Sequence, residues 1–397
     1  MRRRAQRGGG LTEGLLLVVP PEPGVAERVP PWTVVAGLPL LRRIVLAGAR
    51  SGFADIRVHK ALAGAEDLLA GTRTATLTGD EPDTPRAVRR IVILPANVVP
   101  QPRWLRSLLE AELRPETLYV DPSLTAVIET ADPARIIASA ARCRSAGELL
   151  GELHTGLPQL GGAFEAAGRF AVTAPSDVSR VEGWLLRGLI KQREGFMSRH
   201  FERRISLALT SRLVATRITP DAMTLVSVAV GLVGAVFFLS VSPASQLVGA
   251  LLFLAHSILD GCDGELARLK FIESRHGAIL DFWGDNFVHV AVFGCIAAGR
   301  SLATGAAWPL ALGAVTIACG LGAAALVFRR TTLDVVPGAG ASKTDRLTEA
   351  FAHRDFIYLV LALSAVGRAD VFLILASVGT PIFLMLLLWV GAARRRA

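Results

Sequence analysis

Four aspartates stand at short, regular intervals in the apolar half of the chain: Asp260 and Asp263, three apart, then Asp281 and Asp285, four apart. On a helix, spacings of three and four put side chains on one face, so each pair projects from a single side. Two consecutive antiparallel helices joined by a short turn would bring those faces together at one depth. Four carboxylates so close cannot all stay ionised without compensating charge. Only Arg268 and Lys270 stand nearby, too few for four structural ion pairs. The expected compensation is one or two divalent cations held by oxygen ligands. A donor set of carboxylates without histidine or thiolate suits magnesium or manganese.

Small residues stand among the acids. Gly264, Ala267 and Gly277 keep this surface narrow, and Arg268 follows Gly264 by one helical turn. Small residues beside a metal leave room for a phosphorylated, flat-based ligand, with Arg268 placed to pair with a phosphate.

The elements that must hold these residues are apolar helices. Six candidate spans follow Thr219-Pro220, at 222–240, 245–268, 277–298, 303–328, 355–367 and 371–392. Most approach the roughly 20 apolar residues that a bilayer demands. The chain is 51% hydrophobic with a formal charge of +9, a balance that favours a membrane protein meeting anionic lipid or phosphorylated substrates. No nucleic-acid reader motif accompanies the charge, so nucleic acid is not an expected partner. Arginines crowd before span one, between spans two and three, between four and five, and after six; Arg300 and Arg368 are nearly alone on the opposite side. The positive-inside rule then puts both termini and the aspartates on the cytoplasmic side of a cell inner membrane. Cys143, Cys262, Cys295 and Cys319 show no metal or disulfide spacing, which fits a reducing compartment. The basic opening and its short LLLVV run predict no cleaved targeting segment.

Residues 1–180 read differently. Short apolar runs (LLLVV, RIVIL, TAVIE) alternate with helical patterns such as PLLRRIVLAGARSG and PRWLRSLLEAEL, which predicts an α/β domain with a parallel sheet. Between them and the spans, residues 181–217 set Trp184, Leu185, Leu189, Phe196, Phe201, Ile205 and Leu209 among arginines. That is the profile of a basic amphipathic helix at a membrane surface. The expected architecture is an α/β domain, an interfacial junction over 181–217 and an all-α six-helix transmembrane domain over 218–397.

The pattern D-x2-D-G-x2-A-R-x8-G-x3-D-x3-D, filled by Asp260, Asp263, Gly264, Ala267, Arg268, Gly277, Asp281 and Asp285, resembles the signature of the CDP-alcohol phosphatidyltransferase family. The approach ITPDAMT resembles that family's entry into span one, with Asp221 where asparagine is customary. The resemblance implies a membrane-embedded transferase, usually a homodimer, that displaces CMP from a CDP-alcohol with an alcohol or polyol-phosphate acceptor. It implies that Asp260, Asp263 and Asp281 bind metal and that Asp285 shares the metal and acts as general base. Gly264, Ala267, Arg268 and Gly277 would line the cytidine diphosphate pocket. The donor could be CDP-diacylglycerol or a CDP-polyol such as CDP-inositol, for phospholipid or inositol-phosphodiester synthesis. Lys343, Arg346 and Arg354 are candidates for an acceptor phosphate.

The segment VVAGLPLLRRIVLAGARSGFADIRV resembles a sugar-phosphate nucleotidyltransferase, and its fusion to the spans is similar to enzymes that make CDP-inositol and then use it. The catalytic residues do not carry over. PPEPGVAERVPPW offers one glycine and no lysine, and Asn97 stands where a metal-binding aspartate would follow the central strand, so a degenerate domain is expected. Two other functions compete: a cation transporter using the same acids, for which the apolar VAVFGCIAAG beyond His289 is a poor conduit, and a non-catalytic membrane scaffold.

Overall fold

The computed structural model describes residues 15–77, 90–162, 164–190, 201–330 and 356–396. The chain forms two compact units, Met1–Gly188 and Leu189–Ala397.

In the first unit the apolar runs become strands: β1 (Leu15–Val19), β2 (Asp55–His59), β3 (Ala75–Leu77), β4 (Arg90–Ile93), β5 (Leu118–Val120), β6 (Ala126–Glu129) and β7 (Gln159–Gly161). They form one sheet in the order β7-β5-β6-β4-β1-β2-β3. β1 runs parallel to both neighbours, with Leu17 opposite Ile56 and Val92. Leu16 through Val19 are fully buried, as expected of a strand covered on both faces. The sheet is mixed where the sequence pattern predicts a parallel one: β6 pairs antiparallel with β4 and with β5. The reason is local, because the short link from β5 to β6 cannot hold the crossover that a parallel pair needs. The helices are α1 (Leu40–Ser51), α2 (Pro102–Glu110), α3 (Pro133–Arg142), α4 (Ala146–His154) and α5 (Asp177–Arg187). Ile136, Ile137 and Ala140 of α3 and Leu149 and Leu153 of α4 close the core against Leu16, Val18, Ile91 and Ile128.

The stretch after β1 makes one short helical turn, Pro23–Ala26. Glu22 there accepts a hydrogen bond from the Ala146 amide at 2.9 Å. Asn97 donates to the Val172 carbonyl at 3.1 Å, while the Val172 amide returns a bond of 2.9 Å to the Asn97 carbonyl. Of the remaining polar residues, His59 faces the Ala141 carbonyl at 3.3 Å and Cys143 donates to Glu152 at 3.2 Å. Burial, with that carboxylate beside it, pushes the Cys143 thiol up to about 12, so it stays protonated and inert.

The second unit is helical: α6 (Arg203–Leu213), α7 (Pro220–Phe237), α8 (Pro243–Lys270), α9 (Arg275–Thr304), α10 (Trp308–Phe328), α11 (Phe356–Ala365) and α12 (Ala369–Arg396). Five of these, α7 to α10 and α12, are long and apolar enough to cross a membrane. The fifth candidate span is described only over the ten residues of α11, roughly 15 Å of helix, and its N-terminal side lies outside the described residues. α7 and α8 cross tightly: a Cβ on Gly249 would fall 2.8 Å from the Gly234 carbonyl oxygen, the small-residue contact by which membrane helices approach. At the end of the unit away from the aspartates, Arg300 and Arg368 both reach Asp370, at 3.4 and 3.3 Å.

The expected 181–217 junction is divided. α5 lies in the first unit with Val181 buried, and α6 lies in the second. The part of the expected helix over residues 191–200, Phe196 included, lies outside the described residues. Phe201 and Ile205 of the α6 segment are exposed, while its other face is polar and turns inward, as shown next.

Candidate active site

α7 begins at a defined cap: the Thr219 hydroxyl accepts from the Ala222 amide at 3.2 Å, with Pro220 at the first helical position, where the missing proline N–H costs nothing. α8 ends at Phe271, whose left-handed backbone (φ 54°) reverses the chain. Ser274 then caps α9 by accepting from the Gly277 amide at 2.8 Å. This tight reversal sets the ends of α8 and α9 side by side.

The result is a cluster of carboxylates. Asp260, Asp263 and Asp281 each offer an oxygen within 4.8 Å of the others, with Asp260 and Asp263 buried. Thr224 of α7 donates to Asp263, fixing that carboxylate from a third helix. The donor set is all oxygen and contains no histidine or thiolate, so it fits a hard divalent cation. A cleft of about 180 Å³ opens beside it, lined by Asp221, Thr224, Asp263, Gly264, Ala267, Arg268, Glu273, Ser274, Gly277 and Asp281. All four small or basic residues expected at the ligand surface therefore share one cleft. A Cβ on Gly264 would come within 3.1 Å of the Arg268 guanidinium, and one on Gly277 within 2.9 Å of Asp221 Oδ1. The Arg268 Nε is buried without a hydrogen-bond partner among the described residues. Asp221 thus belongs to the cleft wall as well as to the first turn of α7.

Asp285 stands elsewhere. It lies one turn beyond Asp281, roughly 6 Å along the axis, and outside the three-carboxylate cluster. Its Oδ1 is 3.3 Å from His256 Nε2, and its Oδ2 is 4.0 Å from His289 Nδ1. It lines a second, larger cavity of about 490 Å³ walled by α9, α10, α11 and α12. Lys343, Arg346 and Arg354 lie outside the described residues.

The pattern of acids leaves two supports unread. His256, one turn before Asp260, is buried and also faces the Ser227 carbonyl at 2.9 Å. Glu265, inside the motif but on the opposite face of α8, is 0% exposed and accepts from Arg203 at 2.7 Å, Ser206 at 2.8 Å and Thr210 at 2.7 Å. The signal for the second was present: Arg203, Ser206 and Thr210 follow the i, i+3, i+7 stripe of one helix face. Glu202 adds to the tie by accepting from Ser257 at 3.3 Å and Tyr358 at 3.0 Å.

Residues 217–394 match the family described as CDP-alcohol phosphatidyltransferase. Similar curated proteins are named bifunctional IPC transferase and DIPP synthase. One from Thermococcus kodakarensis is 36% identical over 30% of this chain and 26% of its own length. One from Rubrobacter xylanophilus is 34% identical over 48% of this chain and 41% of its own. The chain thus spans well under half the length of these relatives in the matched regions. Among solved structures, Mycobacterium tuberculosis phosphatidylinositol phosphate synthase with CDP-DAG bound aligns at 20% identity, 47% of this chain, 92% of its own and a TM-score of 0.34. The same enzyme with manganese and citrate aligns at 20% identity, 46%, 88% and 0.32. The aspartates and the cleft beside them lie within the part of the chain that is similar to the CDP-alcohol phosphatidyltransferase family.

Proposed function

We propose that the protein is an integral-membrane, divalent-metal-dependent transferase that moves a substituted phosphate from a CDP-alcohol to an alcohol acceptor and releases CMP. The observation that carries this reading is the convergence of Asp260, Asp263 and Asp281 within 4.8 Å at a cleft that also holds Arg268. In this reading those three carboxylates would hold magnesium or manganese, which would supply charge stabilisation to the pyrophosphate, while Asp285, outside the cluster, does not share the metal as the resemblance implied. Gly264, Ala267 and Gly277 admit the cytidine diphosphate, and Arg268 pairs with a phosphate oxygen. Thr224 keeps Asp263 oriented. Asp285 takes the proton from the acceptor hydroxyl as it attacks phosphorus, a carboxylate acting as general base.

The arginine distribution supports a cytoplasmic site with both ends of the chain on that side, and the family resemblance supports a homodimer. For the first unit we infer a non-catalytic role. Asn97 spends its side chain on Val172, and the short turn after β1 has Glu22 bonded to Ala146.

The test is CMP release by the purified full-length protein, with manganese or magnesium and a panel of CDP-alcohols and acceptors. Release that chelation and Asp281→Asn each abolish supports the reading. Absence of CMP from every donor and acceptor pair sinks it.

A further inference from the structure

At the end of the helical unit away from the aspartates, one carboxylate serves two guanidiniums. Asp370, 6% exposed, accepts from Arg368 Nε at 3.3 Å, and its other oxygen lies 3.4 Å from a terminal nitrogen of Arg300. The turns at this end, residues 238–242, 305–307 and 366–368, carry no charged side chain besides Arg368. The group therefore holds a surplus of one positive charge. The Arg300 Nε is buried without a hydrogen-bond partner among the described residues, and a desolvated donor without an acceptor is costly. The Ser364 hydroxyl, in the last turn of α11 before Arg368, is buried in the same condition. Arg368 commits its Nε to Asp370 and keeps 59% of its side chain exposed, which leaves its two terminal nitrogens for another acceptor. Depth adds a second constraint. Arg300 stands roughly 28 Å along α9 from Asp281 at 1.5 Å per residue, close to the ~30 Å thickness of a bilayer's hydrocarbon core. With Asp281 at one membrane boundary, Arg300 reaches the other. Leu302, Trp308 and Val366, in or beside the same turns, are exposed, and tryptophan is a usual anchor at the headgroup level.

We propose that Arg300 and Arg368 bind the phosphate of an anionic phospholipid in the leaflet away from the aspartates. The surplus charge calls for an anion, the orphaned Nε for an oxygen acceptor, and the exposed apolar residues beside them for a molecule with acyl chains. A phosphodiester satisfies the first two, since its oxygens match the forked donors of a guanidinium. A lipid with a net negative head fits the surplus better than a zwitterionic one, whose ammonium the same arginines repel. Bound there, the phosphate joins α9 to the turn between α11 and α12. Gln246 of α8 already holds that turn by accepting from the Ala369 amide at 3.1 Å, so the lipid completes a clamp across three elements. It is a structural ligand, a membrane thickness away from the cleft beside Asp281.

The experiment uses full-length protein delipidated in a neutral detergent. Melting is followed as phosphatidylglycerol is added, with phosphatidylcholine, diacylglycerol of the same chains and inorganic phosphate as comparisons, and native mass spectrometry counts the lipid retained. Phosphatidylglycerol is expected to raise the melting temperature and to stay bound, while the other three do neither to the same extent. Arg300→Gln and Arg368→Gln should each weaken its binding about tenfold, the size of one lost charge-assisted hydrogen bond. Asp370→Asn removes the competing carboxylate, so it should tighten lipid binding even as it lowers the melting temperature of the lipid-free protein. A triad that only ties helices together predicts no such gain. A cooperative melt without lipid checks that each variant folds, and Arg368, at the surface, is the substitution the fold tolerates best. Arg268→Gln, in the cleft, should bind phosphatidylglycerol like the wild type. Binding that both arginine variants retain, that Asp370→Asn weakens, or that Arg268→Gln abolishes overturns the proposal. Equal stabilisation by inorganic phosphate overturns the lipid source, by diacylglycerol the role of the phosphate, and by phosphatidylcholine the preference for an anionic head.

Discussion

His256 Nε2 lies 3.3 Å from Asp285 Oδ1 while its other ring nitrogen lies 2.9 Å from the Ser227 carbonyl. A carbonyl oxygen only accepts, so Nδ1 carries a proton and the ring is fixed between α7 and α9. Its Nε2 faces the Asp285 carboxylate from α8. His256 is thus a positioning residue for Asp285. His256→Ala is expected to lower kcat about tenfold or more with little change in the KM for the CDP-alcohol, the size of effect seen when an orienting partner is lost. His256→Gln, which can still donate to the carboxylate, should recover part of it. Steady-state kinetics on both substrates checks this; equal losses in kcat and donor affinity would point to general disruption.

Removal of a carboxylate from the three-residue cluster should abolish metal-linked stability along with activity. A cation that binds only the folded state at a hundred times its Kd adds about 2.7 kcal/mol. Melting of the wild type should therefore rise with manganese, whereas Asp263→Asn and Asp281→Asn should melt at the same temperature with or without it.

Gly277→Ala places a methyl 2.9 Å from Asp221 Oδ1 and 3.0 Å from Ser274 Oγ. The expected outcome is a loss of about 1–3 kcal/mol of stability together with weakened donor binding, because the first turns of α7 and α9 must part. Asp221→Ala in the same chain should relieve much of the loss. A double-mutant cycle on melting and on donor KM measures the coupling.

Glu265 is buried among three donors from α6. Replacing it with alanine leaves the Arg203 guanidinium without its carboxylate, a change worth roughly 3–5 kcal/mol for a buried pair. Glu265→Gln keeps the hydroxyl bonds and should cost less. Thermal unfolding in detergent reports the difference, and Arg203→Met paired with Glu265→Leu should restore part of the stability.

One pH effect belongs to the first unit. The Thr173 amide, at 3.0 Å, holds the Asp177 carboxyl below the ordinary carboxylate range, with the Thr173 hydroxyl, the Ala174 amide and Arg180 adding to it. A depressed value means that Asp177 stabilises α5 fully above about pH 3.9, the ordinary value, and that this is lost as pH falls through the lower folded value. Amide exchange along α5, corrected for intrinsic rates, should accelerate on acidification below pH ~4 in the wild type. In Asp177→Asn it should be faster at neutral pH and flatter.

Residue spacing alone located the cleft. The i, i+3 step from Asp260 to Asp263, together with a short turn before Asp281, was enough to place three acids together, because both follow from helix geometry. Strand and helix positions in the first unit were legible for the same reason: LLLVV and PRWLRSLLEAEL carry their periods in the chain. What spacing could not supply was depth and rotation between helices. Asp285 shares a face with Asp281 yet sits a turn further in, where α8 presents His256. Glu265 reads as an ordinary motif acid until α6 is known to lie against it. The antiparallel β6 was equally hidden, since an apolar strand looks the same in either direction.

The hold of α6 on Glu265 has a practical consequence for anyone recombining this protein. Family likeness begins at residue 217, which invites a cut there. Such a cut would separate Arg203, Ser206 and Thr210 from the carboxylate they surround, and strand a buried anion two residues from Asp263. The ties between α6 and the helices that carry the aspartates begin at Glu202, so a chimera joined before that point keeps them.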